Sequence, residues 1–254
     1  ARAFKIGVDA LPSFPKDSTD RNRTSPFAFT GNRFEFRMVG SSDNIACPNV
    51  LLNAIMCEEL SQFTEILEPF KGKDDFDAEV RKLLKSVLKD HRRIIFNGDG
   101  YSAEWVKEAE KRGLSNYRTT PDCIPHMLDK KNVELLTREG IFSEKEIKSR
   151  VETTLENYSK TVLIEANTMV DMAQRDYLPA IEGFTAQLLD TLEKKEKYQS
   201  FAHSGYEKST IGKLSVLSDA IASASDELSH AIVKAKGISS EEEKSYAIRD
   251  TVIP

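Results

Sequence analysis

A chain of 254 residues, 39% hydrophobic and 30% charged, has the composition of an ordinary soluble protein and the length for one large or two modest domains. Its net charge of -5 excludes the basic field of a general nucleic-acid binder. No apolar run nears the ~18 residues that cross a bilayer, and no signal-peptide pattern opens the chain.

Residues 1–47 hold Pro12, Pro15 and Pro26 and short apolar runs without a 3.6-residue period, which predicts strands and ordered loops. Within them, Gly31 to Gly40 reads as a strand with Phe34, Phe36 and Met38 on one face and Arg33, Glu35 and Arg37 on the other. From Pro48 the period changes. Val50, Leu51, Ala54, Ile55, Leu60, Phe63 and Leu67 predict a helix to about Glu68, and Phe76, Val80, Leu83, Leu84, Val87 and Leu88 a second from Asp74 to Arg93. Asn97-Gly98-Asp99-Gly100 is a break, and Ser102 opens a short helix around Trp105 that stops at Gly113. Two more short helices are expected at Cys123–Leu128 and Lys130–Arg138, the latter stopped by Gly140.

Ser143-Glu144-Lys145-Glu146 has the form of a capping box and opens the longest helical pattern, about 143–193. Its stripe runs through Ile147, Val151, Leu155, Tyr158, Val162, Ala166, Met169, Val170, Ala173 and Tyr177, and resumes through Phe184, Leu188 and Leu192 after a kink or interruption expected at Pro179. Lys194 to Gly205 is a polar break. A further helix is expected at about 209–236, with Leu214, Leu217, Ile221, Leu228 and Ile232, and a last one after Ser239. Such stripes, with the Met169–Met172 pair, are read as bundle core. The fold class expected is α+β: a strand-and-loop part over 1–47, then a mainly α-helical bundle over 48–254.

Cys47, Cys57 and Cys123 have neither CxxC spacing nor an even count, so they suit reduced thiols and a cytoplasmic location. His91, His126, His203 and His230 are scattered and pair with no other ligand at metal spacing. The chain runs from Ala1 directly into Phe4-Lys5-Ile6-Gly7-Val8-Asp9 and stops abruptly at Thr251-Val252-Ile253-Pro254, so it is expected to be part of something longer.

The row Arg33, Glu35, Arg37 admits two readings. One is a solvated strand face with partly cancelling charges. The other is a polyanion site, with guanidinium forks for phosphate or carboxylate oxygens and a carboxylate for Mg²⁺ or Mn²⁺. The preceding loop, Asp17-Ser18-Thr19-Asp20-Arg21-Asn22-Arg23-Thr24-Ser25, is either a salt-laced turn or a second source of arginine for the same place.

The run Asp20-Arg21-Asn22-Arg23-Thr24-Ser25-Pro26-Phe27-Ala28-Phe29-Thr30-Gly31-Asn32-Arg33-Phe34-Glu35-Phe36-Arg37-Met38 resembles the type III glutamine synthetases. The resemblance continues through His91-Arg92-Arg93-Ile94-Ile95-Phe96-Asn97-Gly98, Glu108 to Leu114, Lys131 to Leu135 and Leu155 to Thr161, and reaches at least Pro179. It implies ATP-dependent ligation of ammonia to the glutamate side chain through a γ-glutamyl phosphate, with Mg²⁺ or Mn²⁺. By the same resemblance Glu35 holds a metal, Arg37 contacts glutamate and the transferring phosphoryl group, Arg23 lies near glutamate and the γ-phosphate, and Arg33 lies near the nucleotide. Commoner glutamine synthetases carry a further arginine five residues after the Asn-Arg arginine. Here that position is Ala28, in agreement with the type III branch. The remaining metal and ATP ligands are expected upstream of Ala1. The resemblance also implies a homo-oligomeric ring with active sites between subunits, no nucleic acid or membrane partner, and a fragment inactive alone. A related γ-glutamyl-amine ligase and a non-catalytic helical scaffold are the alternatives.

Overall fold

The computed structural model describes the backbone of residues 3–4, 14–15, 27–29 and 34–36, and the full residues 44–96, 100, 102–198 and 203–254. Four short strands come first: β1 (Ala3–Phe4), β2 (Phe14–Pro15), β3 (Phe27–Phe29) and β4 (Phe34–Phe36). They form two separate antiparallel pairs, β1 with β2 and β3 with β4. Nine α-helices follow among the described residues: α1 (Ala46–Leu67), α2 (Phe76–Asp90), α3 (Ala103–Lys111), α4 (Thr120–Cys123), α5 (Lys130–Arg138), α6 (Glu144–Met172), α7 (Leu178–Tyr198), α8 (Gly205–Lys236) and α9 (Glu241–Thr251).

This corrects the expected α+β class. Of the residues whose side chains are placed, 83% are helical and none lies in a strand. The alternating apolar residues do pair, but as ladders of two or three residues with no third strand among those described. A two-stranded ladder buries too little to stand as a layer of its own, so helix packing decides the class.

The described residues divide into two units, Ala1–Asn116 and Tyr117–Pro254. In the first, α1 is opened not by a side-chain cap of its own but by Asn44, whose Oδ1 accepts the Ala46 N–H at 2.7 Å. A single-turn 3₁₀ segment, Arg92–Ile94, follows α2. Ser102 caps α3 by accepting the Trp105 N–H at 3.1 Å, and Gly113 ends it at φ +70°. Ile55 and Leu60, expected on the apolar stripe of α1, are more than half exposed.

The second unit holds nearly all the buried apolar residues. Thr119 caps α4, a 3₁₀ turn (Ile124–Leu128) continues it, and Gly140 ends α5 at φ +66°. The capping box at α6 is complete: the Ser143 hydroxyl accepts the Glu146 N–H at 3.4 Å, while the Glu146 carboxylate accepts the Ser143 N–H at 2.7 Å. Both Ser143 groups hold the Glu146 carboxyl below its ordinary range. α6 packs on α9 and α8, with Ala166, Ile232, Ala235, Ile248 and Val252 as the buried cluster.

Between α6 and α7 lies one π-helical turn, Ala173–Tyr177, which interrupts the α-helix just before Pro179. The Leu178 N–H reaches back five residues to the Ala173 carbonyl. Pro179 explains the location, because it lacks an N–H and its ring crowds the carbonyl four residues earlier. The extra residue shifts the buried face. Ala173 is followed inward by Leu178, Ile181 and Leu188, while Tyr177 and Phe184, expected in the stripe, are 53% and 45% exposed. Met169 (64% exposed), Met172 and Leu217 also lie outside the core they were assigned to.

Candidate functional site

The structure places one of the four expected site residues, and that one by backbone alone. Glu35 lies at the centre of β4, opposite Ala28 of β3, with Phe27 paired to Phe36 and Phe29 to Phe34. Arg23, Arg33 and Arg37 lie outside the described residues. Among the described residues no three His, Cys, Asp or Glu side chains converge as a metal site.

Two other constellations are built from described side chains. In the first unit, a groove of about 300 Å³ is lined by Glu59 of α1, Val87 and Leu88 of α2, and His91, Ile94 and Ile95. Arg112 secures the segment behind it. Its guanidinium donates to Glu108 Oε1 at 2.7 Å and to the carbonyls of Arg93 and Ile95 at 3.3 and 3.0 Å, and it lies 5.4 Å from the Trp105 ring centre. Phe96 stacks on the same indole at 3.9 Å. Hydrogen bonding to Arg112 holds the Glu108 carboxyl below its usual value. The groove is mostly hydrocarbon and suits packing rather than bond making.

In the second unit, Asp122 of α4 meets the last helix. Its Oδ2 accepts the Thr119 hydroxyl at 2.6 Å and its Oδ1 accepts from Arg249 Nη1 of α9. Arg249 also donates to both carboxylate oxygens of Asp250, at 2.6 and 2.9 Å, and lies 4.8 Å from the Tyr246 ring centre. These contacts raise the Arg249 pKa and lower that of Asp250. Nearby, burial pushes the Tyr158 phenol up, and its oxygen finds no hydrogen-bond partner. The cluster ties α9 to α4 and offers no vacant donor set to a substrate. Sequence reasoning missed it because residues 127 apart carry no local signal of their pairing.

Residues 79–196 match the family model described as the glutamine synthetase C-terminal domain, a span from α2 to the end of α7. Relatives agree. The type-3 glutamine synthetase of Dictyostelium discoideum is 36% identical over 98% of this chain and 34% of its own length. A glutamine synthetase of Bacteroides fragilis (strain YCH46) is 36% identical over 99% of this chain and 35% of its own. One from Butyrivibrio fibrisolvens is 40% identical over 72% and 26% respectively. The helical unit is thus of the class found in glutamine synthetases. The chain belongs to the type 3 glutamine synthetase family, and it spans about a third of the length of the type-3 relative from Dictyostelium discoideum. No helix among the described residues is long and apolar enough to cross a membrane.

Proposed function

We propose that the chain is part of a glutamine synthetase, in which the complete protein joins ammonia to the side-chain carboxylate of glutamate using ATP. The observation that carries this reading is the pair of words Asn22-Arg23-Thr24 and Arg33-Phe34-Glu35-Phe36-Arg37, set within a chain that aligns with a type-3 relative over 98% of its residues. Strand alternation gives Arg33, Glu35 and Arg37 one face, and the described hairpin gives Glu35 a fixed place in the β3–β4 ladder.

A carboxylate oxygen of glutamate attacks the γ-phosphorus of ATP, and the bond to ADP breaks. Ammonia then attacks the acyl carbon of the γ-glutamyl phosphate, phosphate departs with the bonding pair, and the nitrogen releases a proton. The protein's task is to orient oxygens and meet charge as it develops. Arg37 holds the glutamate and phosphoryl oxygens with a planar fork, Arg23 meets the γ-phosphate, and Arg33 lies along the nucleotide. Glu35 is a hard oxygen donor of the kind that holds Mg²⁺ or Mn²⁺ beside phosphates, and one or two such carboxylates commonly suffice from protein. The cation, when bound, neutralises phosphate charge. The other ligands lie outside this chain, so the fragment alone is inactive, and the complete protein is a cytoplasmic homo-oligomer with sites between subunits.

In the complete protein, Arg37→Ala is expected to lower kcat by about 100-fold or more, the cost of losing one preorganised donor. Turnover near wild type would overturn the assignment. Comparing ammonia with alkylamines in the same assay separates a glutamine synthetase from a γ-glutamyl-amine ligase, and failure with every amine would favour a scaffold.

A further inference from the structure

The first unit leaves an apolar seam open. The groove between α1 and α2 is lined by Val87 and Leu88 of α2 and by Ile94 and Ile95 beyond it, with Glu59 on the α1 wall. Leu84, Leu88, Ile94 and Ile95 are between 48% and 64% exposed, and Ile55, one turn before Glu59 on α1, is 52% exposed. Apolar surface residues scattered singly are ordinary, but residues gathered along one groove mark a docking surface. The far wall is set before anything binds. Arg112 donates to the carbonyls of Arg93 and Ile95, and Phe96 stacks on Trp105, so the segment after α2 is already fixed.

Charge divides the two walls. From Ala46 to Phe70 the α1 wall carries Glu58, Glu59, Glu65 and Glu68 and no Lys or Arg. From Phe76 to Ile95 the balance is reversed: Arg81, Lys82, Lys85, Lys89, Arg92 and Arg93 outnumber Asp77, Glu79 and Asp90. Among the described residues only Lys82 of these cations is ion-paired, with Glu79 at 3.2 Å. Arg81 and Lys85 lie within about 60° of Leu88 around the helix, at 100° per residue, and so border the groove. Glu79 and Asp90 fall on the opposite side of α2, and Asp77 lies about three turns from Leu88, in the first turn. Glu59 faces the groove from α1. A hydrocarbon floor between a cationic and an anionic rim has the anatomy of a reversible interface, not of a permanent core.

We propose that the groove receives an amphipathic helix of a partner protein, with its apolar stripe over Leu84, Leu88 and Ile94. An acidic edge of that helix lies over Arg81 and Lys85, and a basic edge lies over Glu59. Helix-in-groove recognition takes its affinity from apolar anchors one turn apart, and opposite charge along the edges sets the direction of the helix. The seam from Leu84 to Ile95 spans about 17 Å, so about three turns of helix fill it. An anionic bilayer fits less well, because it would press on Glu59 and the other glutamates of α1. The docking is independent of the catalytic reading.

Fluorescence anisotropy tests it, with labelled synthetic helices about 15 residues long added to the 254-residue chain. One helix carries a leucine stripe with Glu along one edge and Lys along the other. A second has the same stripe with Lys on both edges, and a third has the mixed edges with Ser in place of the stripe. The first is expected to bind about ten-fold more tightly than either control, or better. In R81E/K85E the preference should reverse toward the helix with two Lys edges, and Leu88→Ser should weaken both helices that carry the stripe. Circular dichroism reports whether each variant keeps its helices, and Leu88→Ser, at an exposed site, decides the matter if the double variant unfolds. The proposal is overturned by a chain that binds none of the helices, by affinities that ignore the stripe or the charged edges, or by phosphatidylserine vesicles that displace the first helix. It is overturned as well if the complete protein fails to bind where the 254-residue chain succeeds, since the rest of the polypeptide then fills the groove.

Discussion

Glu207 has almost no access to water, and one of its two carboxylate oxygens has no partner. The other accepts from Lys195 Nζ at 2.5 Å, and the same ammonium reaches the His203 carbonyl at 3.3 Å. The Lys195 hydrogen bond holds the Glu207 pKa below the ordinary 4.5. A carboxyl whose folded pKa is depressed stabilises the fold above its unfolded pKa, and that contribution is lost as pH falls toward the folded value. As pH falls below about 5, the urea midpoint of the wild type should thus drop more steeply than that of Glu207→Gln. Parallel pH profiles would show that Glu207 is not responsible. At this scale the sequence was most readable where partners are three residues apart, as in Ser143 and Glu146. It was silent on Lys195 and Glu207, because a hairpin must form before they meet.

The long helical pattern after Ser143 was legible as a helix, and its interruption near Pro179 was too. The form of the interruption was not. Proline forbids one hydrogen bond, but whether a helix bends or takes up an extra residue depends on which faces its neighbours bury. Here α7 must keep Ile181 and Leu188 in the seam with α8, and the π-turn supplies the phase that does so. Inserting one alanine after Gln174, a residue that the already widened turn does not absorb, should turn α7 by about 100° and carry Leu188 out of the seam. The expected outcome is a lower Tm with loss of the α7–α8 protections in hydrogen exchange. An unchanged Tm would mean that the seam does not depend on this phase. The strands at the other end were readable as alternation but not as a layer, since three-residue ladders cannot announce whether further strands lie beside them. The Arg23, Arg33 and Arg37 constellation was carried by family resemblance, and alternation alone left it open between solvated face and anion site.

Across the whole molecule, apolar burial is uneven. Among the described residues of the first unit only Ala54 is a buried hydrophobic, whereas the second unit buries Leu136, Ile147, Leu155, Ile232, Ile248 and others. The chain's one tryptophan, Trp105, belongs to the first unit, and most of the long helices belong to the second. Tryptophan fluorescence should therefore report unfolding at lower urea than far-ultraviolet circular dichroism, since independent units with unequal cores need not melt together. Coincident transitions would show that the two units unfold as one.

The position of α9 in the second unit bears on how the protein is made. Ile248 and Val252 fill the core between α6 and α8, and Arg249 closes on Asp122. During synthesis, α6, α7 and α8 leave the ribosome with that core still open. The hairpin can zip early from local contacts, but the unit as a whole cannot lock until Val252 has emerged. Until then the nascent chain exposes Ala166 and Ile232, a target for chaperones that ends when the last helix docks.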